Sequence, residues 1–263
     1  MNLIPDDPTM KHSEPPFPES APMVEPFFWG TGDLLVWNPS EVLETIDRPY
    51  LFKSVWGRDC LSEKQYASMS ATTFTPLFET LRTQIVESSL IDPRGFYGYF
   101  PVITDDRDCI LLDPSDFHSE LCTITFPAKN PGGGSINDYL RPQGDCIALS
   151  AVTLGKHLEP AISRLTDDPD RKGYYLEGMG TALTHLLQKK ITAEIRRGLS
   201  ITDQTGNAVI LECVSGNYND ILPEIFEIMS IEERLAILCD GSGSISPRFS
   251  SIQLFIHHPS FQY

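Results

Sequence analysis

With 263 residues, 41% of them hydrophobic, the chain can bury a substantial core, and a single large domain is expected over two small ones. A formal net charge of −16 opposes binding to a polyanion, so no nucleic-acid partner is expected, because such affinity rests on cationic neutralisation of phosphates; the acidity reads as solubility, with attraction of a cationic ligand or a basic protein as the second reading. No run approaches the roughly 20 apolar residues of a membrane helix, and the opening MNLIPDDPTMKHSEPPFPESAP lacks the core and flanks of a signal peptide, so a cytoplasmic protein without a membrane partner is expected.

Residues 1–25 mix prolines with acidic and small residues and read as a flexible leader, so the domain is expected to span 26–263. PFFWGTGDLLVW opens it. Pro39-Ser40 before Glu41, Val42 and Leu43 predicts a short helix that ends before Arg48-Pro49, leaving Asp47 at a helix end where the dipole gives a carboxylate no support. From Thr75-Pro76, read as a cap, the apolar residues Leu77, Phe78, Leu81, Ile85 and Val86 recur at helical spacing until Asp92-Pro93 stops them. GFYGYFPVI, DCILLD and LCTITFPA then read as consecutive antiparallel strands, a meander.

NPGGGS reads as a loop, since no Gly-Lys-Ser or Gly-x-Gly-x-x-Gly spacing accompanies its glycines. DCIALSAVTLG, nearly continuous in apolar character, predicts a central strand buried on both faces. The longest helix is expected over GYYLEGMGTALTHLLQKKITAEIRRGL, with Leu176, Met179, Leu183, Leu186, Leu187, Ile191 and Ile195 on one face and Gly198 as its stop. AVILECV reads as a strand, PEIFEIM and IEERLAIL as short helices, and SSIQLFIHH as a closing strand. Strands and helices do not alternate as βαβ units, so the fold class is α+β: mixed helices around a twisted, mainly antiparallel sheet.

Chemical motifs are sparse. The six cysteines are scattered without a C-x-x-C pair and read as buried thiols. His257 and His258 are adjacent at the end of a strand, which points them to opposite faces and away from a shared metal, so they read as surface histidines. His185 follows Glu177 by two helical turns without an H-E-x-x-H pattern, which suggests packing or a helix-surface position. No G-x-S-x-G elbow marks a nucleophile, so neither a catalytic residue nor a metal ligand is assigned. Ser215, Gly216, Asn217, Tyr218, Asn219 and Asp220 lie between a strand and a helix started by a proline. Such a turn can expose backbone amides to a small ligand, or it can be an ordinary connection with Asp220 as the helix cap.

The order of several segments resembles the activation domain of cobalamin-dependent methionine synthase. They are PFFWG, ETIDRPYLFKSVWG, PRGFYGYFPV, DYLRPQGDCIALSAVTLG, GYYLEGMGTALTHLLQKKI, SGNYND and SIEERLAILCDGSGSISPRFSSIQLFIHH. The resemblance runs from about residue 26 to the C-terminus and looks closest to short, separate versions of that domain. It implies a module that binds S-adenosylmethionine and offers its methyl group to cobalamin carried by a partner, a corrinoid-binding methyltransferase protein, after the cofactor has been oxidised to cob(II)alamin. A flavodoxin-like or ferredoxin-like donor would supply the electron. The chemistry would belong to the cobalt and the sulfonium, and the protein would bind and orient.

By the same resemblance, Asp47 corresponds to the aspartate that binds the ligand's amino group. Ser215 to Asp220 corresponds to the turn whose backbone lines the ligand, with Tyr218 at the tyrosine position. The family turn reads Arg-x-x-x-Gly-Tyr. Here Cys213 stands at the arginine, Asn217 at the glycine, and His185 at an acidic residue of the long helix. These departures imply an alternative, a scaffold that binds a corrinoid protein without S-adenosylmethionine, because cysteine cannot replace a bidentate guanidinium.

Overall fold

A computed structural model describes residues 24–57, 59–105, 108–126, 136–141, 144–165, 168–201, 207–210 and 221–257. Ten strands are described: β1 (Gly30–Thr31), β2 (Leu35–Val36), β3 (Arg94–Asp105), β4 (Asp108–Leu112), β5 (Glu120–Thr125), β6 (Asp145–Thr153), β7 (Asn207–Ile210), β8 (Leu238–Cys239), β9 (Ile245–Ser246) and β10 (Ser250–Ile256). Eight of them make one sheet in the order β5-β4-β3-β6-β10-β7, every pairing antiparallel. One edge of β3 pairs along its length with β6. Its other edge is divided, with β1 and β2 on its first half and β4 on its second. The expected meander is β3-β4-β5. The expected two-faced central strand is β6, all nine of whose residues are buried.

Side-chain alternation sorts this sheet into two interiors. Phe96, Phe100, Ile147, Leu149, Ile252 and Leu254 face α6 (Leu222–Met229) and α7 (Ile231–Leu235). Tyr99, Ala148, Val152 and Phe255 point the other way, towards α5 (Lys172–Gly198). Beyond α5 lie α1 (Pro39–Glu44), α2 (Glu63–Met69), α3 (Thr75–Glu87) and α4 (Leu158–Ser163). The residues of α5 expected at the core are buried, except Leu186, which is partly buried. The class is α+β, as expected.

Several local expectations need correction. Thr75 does not cap a helix. The helical run begins earlier, at a capping box in which Ser62 and Gln65 bond each other, and α2 passes into α3 through a wide π-helical stretch, Ser70–Phe74. Pro76 has no amide hydrogen for the turn behind it, and just ahead of it the ladder widens so that Thr75 N donates to Ser70 O, five residues back. α5 ends at Gly198 as expected, but Gly198 is not its left-handed cap. The left-handed residue is Ser200, at φ 55°, with Ile201 N donating to Arg196 O at 2.9 Å. Gly198 is required by packing, since a Cβ there would lie 2.1 Å from the Tyr99 hydroxyl, which donates to Ile195 O at 2.7 Å. β1 and β2 were not anticipated, two residues being too few to show a period.

Candidate functional site

The site begins with the segment that joins α1 to α2. Asn38 caps α1 and accepts from Ser40 N and Glu41 N, and the helix ends at Glu44 as the sequence suggests. Asp47, however, belongs to the element after α1. Its carbonyl accepts from Leu51 N at 2.9 Å and its Oδ1 accepts from Tyr50 N at 3.0 Å. It therefore sits at the start of the next helical turns, where first-turn amides favour a carboxylate, and the expectation that the dipole gives it no support is overturned. Oδ2 has no hydrogen bond with any described residue, and the side chain is exposed.

These turns, which include the π-helical Tyr50–Trp56, are pinned to α5. Trp56 Nε1 donates to Tyr175 O at 3.0 Å, and the Tyr174 hydroxyl donates to Trp56 O at 3.0 Å. The approach depends on Gly178, where a Cβ would lie 2.7 Å from the Trp56 ring. Two turns further along α5 the same packing brings His185 against Tyr50, ring centroids 5.2 Å apart and planes at 27°. Both rings are half-buried. Burial pushes the His185 pKa below its ordinary value, the nearby Lys189 ammonium pushes it the same way, and the Asp47 carboxylate pulls it back. The imidazole is thus held towards its neutral form, chiefly by burial.

One turn beyond His185, Gln188 Nε2 donates to Ser251 Oγ at 2.7 Å, so this part of α5 lies over β10. The edge of β10 away from β6 carries β7. The turn residues Ser215, Gly216, Asn217, Tyr218 and Asp220, and also Cys213 and the NPGGGS loop, lie outside the described residues. Glu177, two turns before His185, is engaged by Arg248. His257 is partly buried, contrary to its reading as a surface residue, and His258 lies outside the described residues. Of the cysteines, Cys109, Cys122 and Cys146 are buried, Cys239 is partly so and Cys60 is exposed.

Tyr50 and Lys189 were not singled out from the sequence. Lys189 had a legible signal in its i+4 spacing from His185, whereas the Tyr50 stack depends on a tertiary contact. Among the described residues no three metal-binding side chains come together, and no helix is long and apolar enough to cross a membrane. A cleft of about 680 Å³ beside α6 and α7, lined by Pro223, Phe226, Glu227, Glu232, Glu233 and others, does not include Asp47.

No family model matches the chain. Methionine synthase of Mycobacterium leprae (strain TN) is 21% identical over 271 residues, covering 90% of this chain and 22% of that protein, so the chain spans about a fifth of this relative's length. Among solved structures, the crystal structure of the MetH reactivation domain bound to AdoHcy superposes with a TM-score of 0.77 at 13% identity, covering 93% of this chain and 83% of the other. The antiparallel sheet with its two helical faces is thus the fold of that reactivation domain.

Proposed function

We propose that this chain binds S-adenosylmethionine and serves as the reactivation component of a corrinoid-dependent methyltransferase of the methionine synthase type. The observation that carries the reading is the uncommitted Oδ2 of Asp47 beside the half-buried Tyr50–His185 stack, on a fold whose structural neighbour holds AdoHcy. A carboxylate with one oxygen already fixed by a backbone amide presents the other to an ammonium group in a set orientation, and such a charge-assisted hydrogen bond is roughly twice as strong as a neutral one. Ser215 to Asp220, with Tyr218, completes the ligand site in this reading.

The chain's own work is binding and orientation. A cobalamin carried by a partner protein would supply the methyl-accepting metal, with a flavodoxin-like or ferredoxin-like donor as the source of its electron. Holding the sulfonium at a fixed place replaces a bimolecular encounter with a positioned one. Direct titration of the protein with S-adenosylmethionine and S-adenosylhomocysteine tests the reading. Saturable binding of both is expected, and no binding of either contradicts it.

Cys213, at the position where the resemblance places an arginine, favours a second reading: a scaffold that engages the corrinoid protein without S-adenosylmethionine. That reading expects co-elution with a cobalamin-loaded partner and no heat on titration with either ligand.

A further inference from the structure

Arg48 and Lys53 lie within the turns that begin at Asp47, and both are engaged. Arg48 Nη2 lies 2.9 Å from Glu79 Oε1 and Lys53 Nζ lies 2.9 Å from Glu63 Oε1. Lys189 differs. It follows His185 by four residues on α5, a spacing that puts two side chains on one helix face with Cβ atoms about 5–6 Å apart. It is exposed and forms no ion pair with a described residue. Its ammonium and the Asp47 carboxylate act on the His185 ring with opposite sign, so both charges lie within electrostatic reach of one imidazole.

Asp47 is bonded to Tyr50 N, Tyr50 stacks on His185, and Lys189 follows His185 by one turn of α5, so one contact links a carboxylate and an ammonium, the charges that an α-amino acid's two ends call for. We propose that Lys189 binds the carboxylate of the methionine moiety of S-adenosylmethionine while Asp47 binds its ammonium. This assignment rests on the proposed function and adds a residue that the resemblance did not supply. A lysine is a point charge on a flexible stem, so it can reach the carboxylate from α5 without the fixed fork of a guanidinium. Recognition of the amino-acid end would then come from the first helical turns and the long helix together, and Cys213 would not be required for it.

Decarboxylated S-adenosylmethionine separates this assignment from the function on which it rests. The native protein is expected to bind S-adenosylmethionine about tenfold or more tightly than the decarboxylated form, the size of one charge-assisted hydrogen bond. Lys189→Ala should bind both ligands equally, at the weaker level, and Lys189→Arg should keep the preference. A native protein that binds both equally, or a Lys189→Ala variant that keeps the preference, overturns the assignment and leaves the proposed function standing. A native protein that binds neither overturns both. The exposed position of Lys189 makes these variants safe for the fold, and an unchanged unfolding midpoint checks it.

Discussion

At Asp47 one carboxylate oxygen holds the backbone and the other is uncommitted, so two substitutions separate structure from recognition. Asp47→Ala removes the cap and should lower unfolding free energy by about 1 kcal/mol, the usual cost of losing such a residue. Asp47→Asn keeps an oxygen for Tyr50 N and should stay within about 0.5 kcal/mol of the native protein in urea denaturation. Equal losses would mean that the oxygen's charge, and not its hydrogen bond, supports the turn. The sequence makes Asp47 visible through the Arg48-Pro49 pair that bounds α1, but not the direction of its service, because a carboxylate between two helices can end one or begin the next. Which it does depends on Tyr50 N, and hence on the turns that Trp56 and Tyr174 fasten to α5.

The elements divide by how local their causes are. The apolar stripe of α5 and the continuous apolar run of β6 announce themselves because each buries against neighbours along its whole length, so period and burial coincide. β1 and β2 are strands only because β3 offers them an open edge. The widened turn before Pro76 and the left-handed Ser200 that closes α5 escape sequence reading for a similar reason, since each is settled by a particular hydrogen bond. The Gly198–Tyr99 contact can be tested. Gly198→Ala should cost about 1–3 kcal/mol through overpacking. The loss in Gly198→Ala/Tyr99→Phe should be smaller than the sum of the two single losses, because removing the hydroxyl relieves the clash. Strict additivity in unfolding experiments would contradict that contact.

Across the whole molecule, two apolar interiors on opposite faces of one sheet determine which groups solvent can reach. Cys109, Cys122 and Cys146 lie in these interiors, and burial pushes their thiols up, Cys122 to about 12 and the other two further. Alkylation of the native protein near pH 8, read by peptide mapping, should therefore mark Cys60 quickly and spare those three until unfolding, since the thiolate is the reactive form. Rapid labelling of Cys109 would contradict the burial of β4. At this scale the order of segments was legible, and with it the α+β class and the resemblance that the superposition bears out as a fold. The function is a further step, because a fold does not fix what its site holds. Calorimetric titration of the native protein and Asp47→Asn with S-adenosylmethionine tests that step most directly, since the substitution keeps the cap and removes only the charge. Saturable native binding, weakened about tenfold or more in the variant, is the expected result. Equal binding by the two proteins, or none by the native one, would contradict a ligand site built on Asp47.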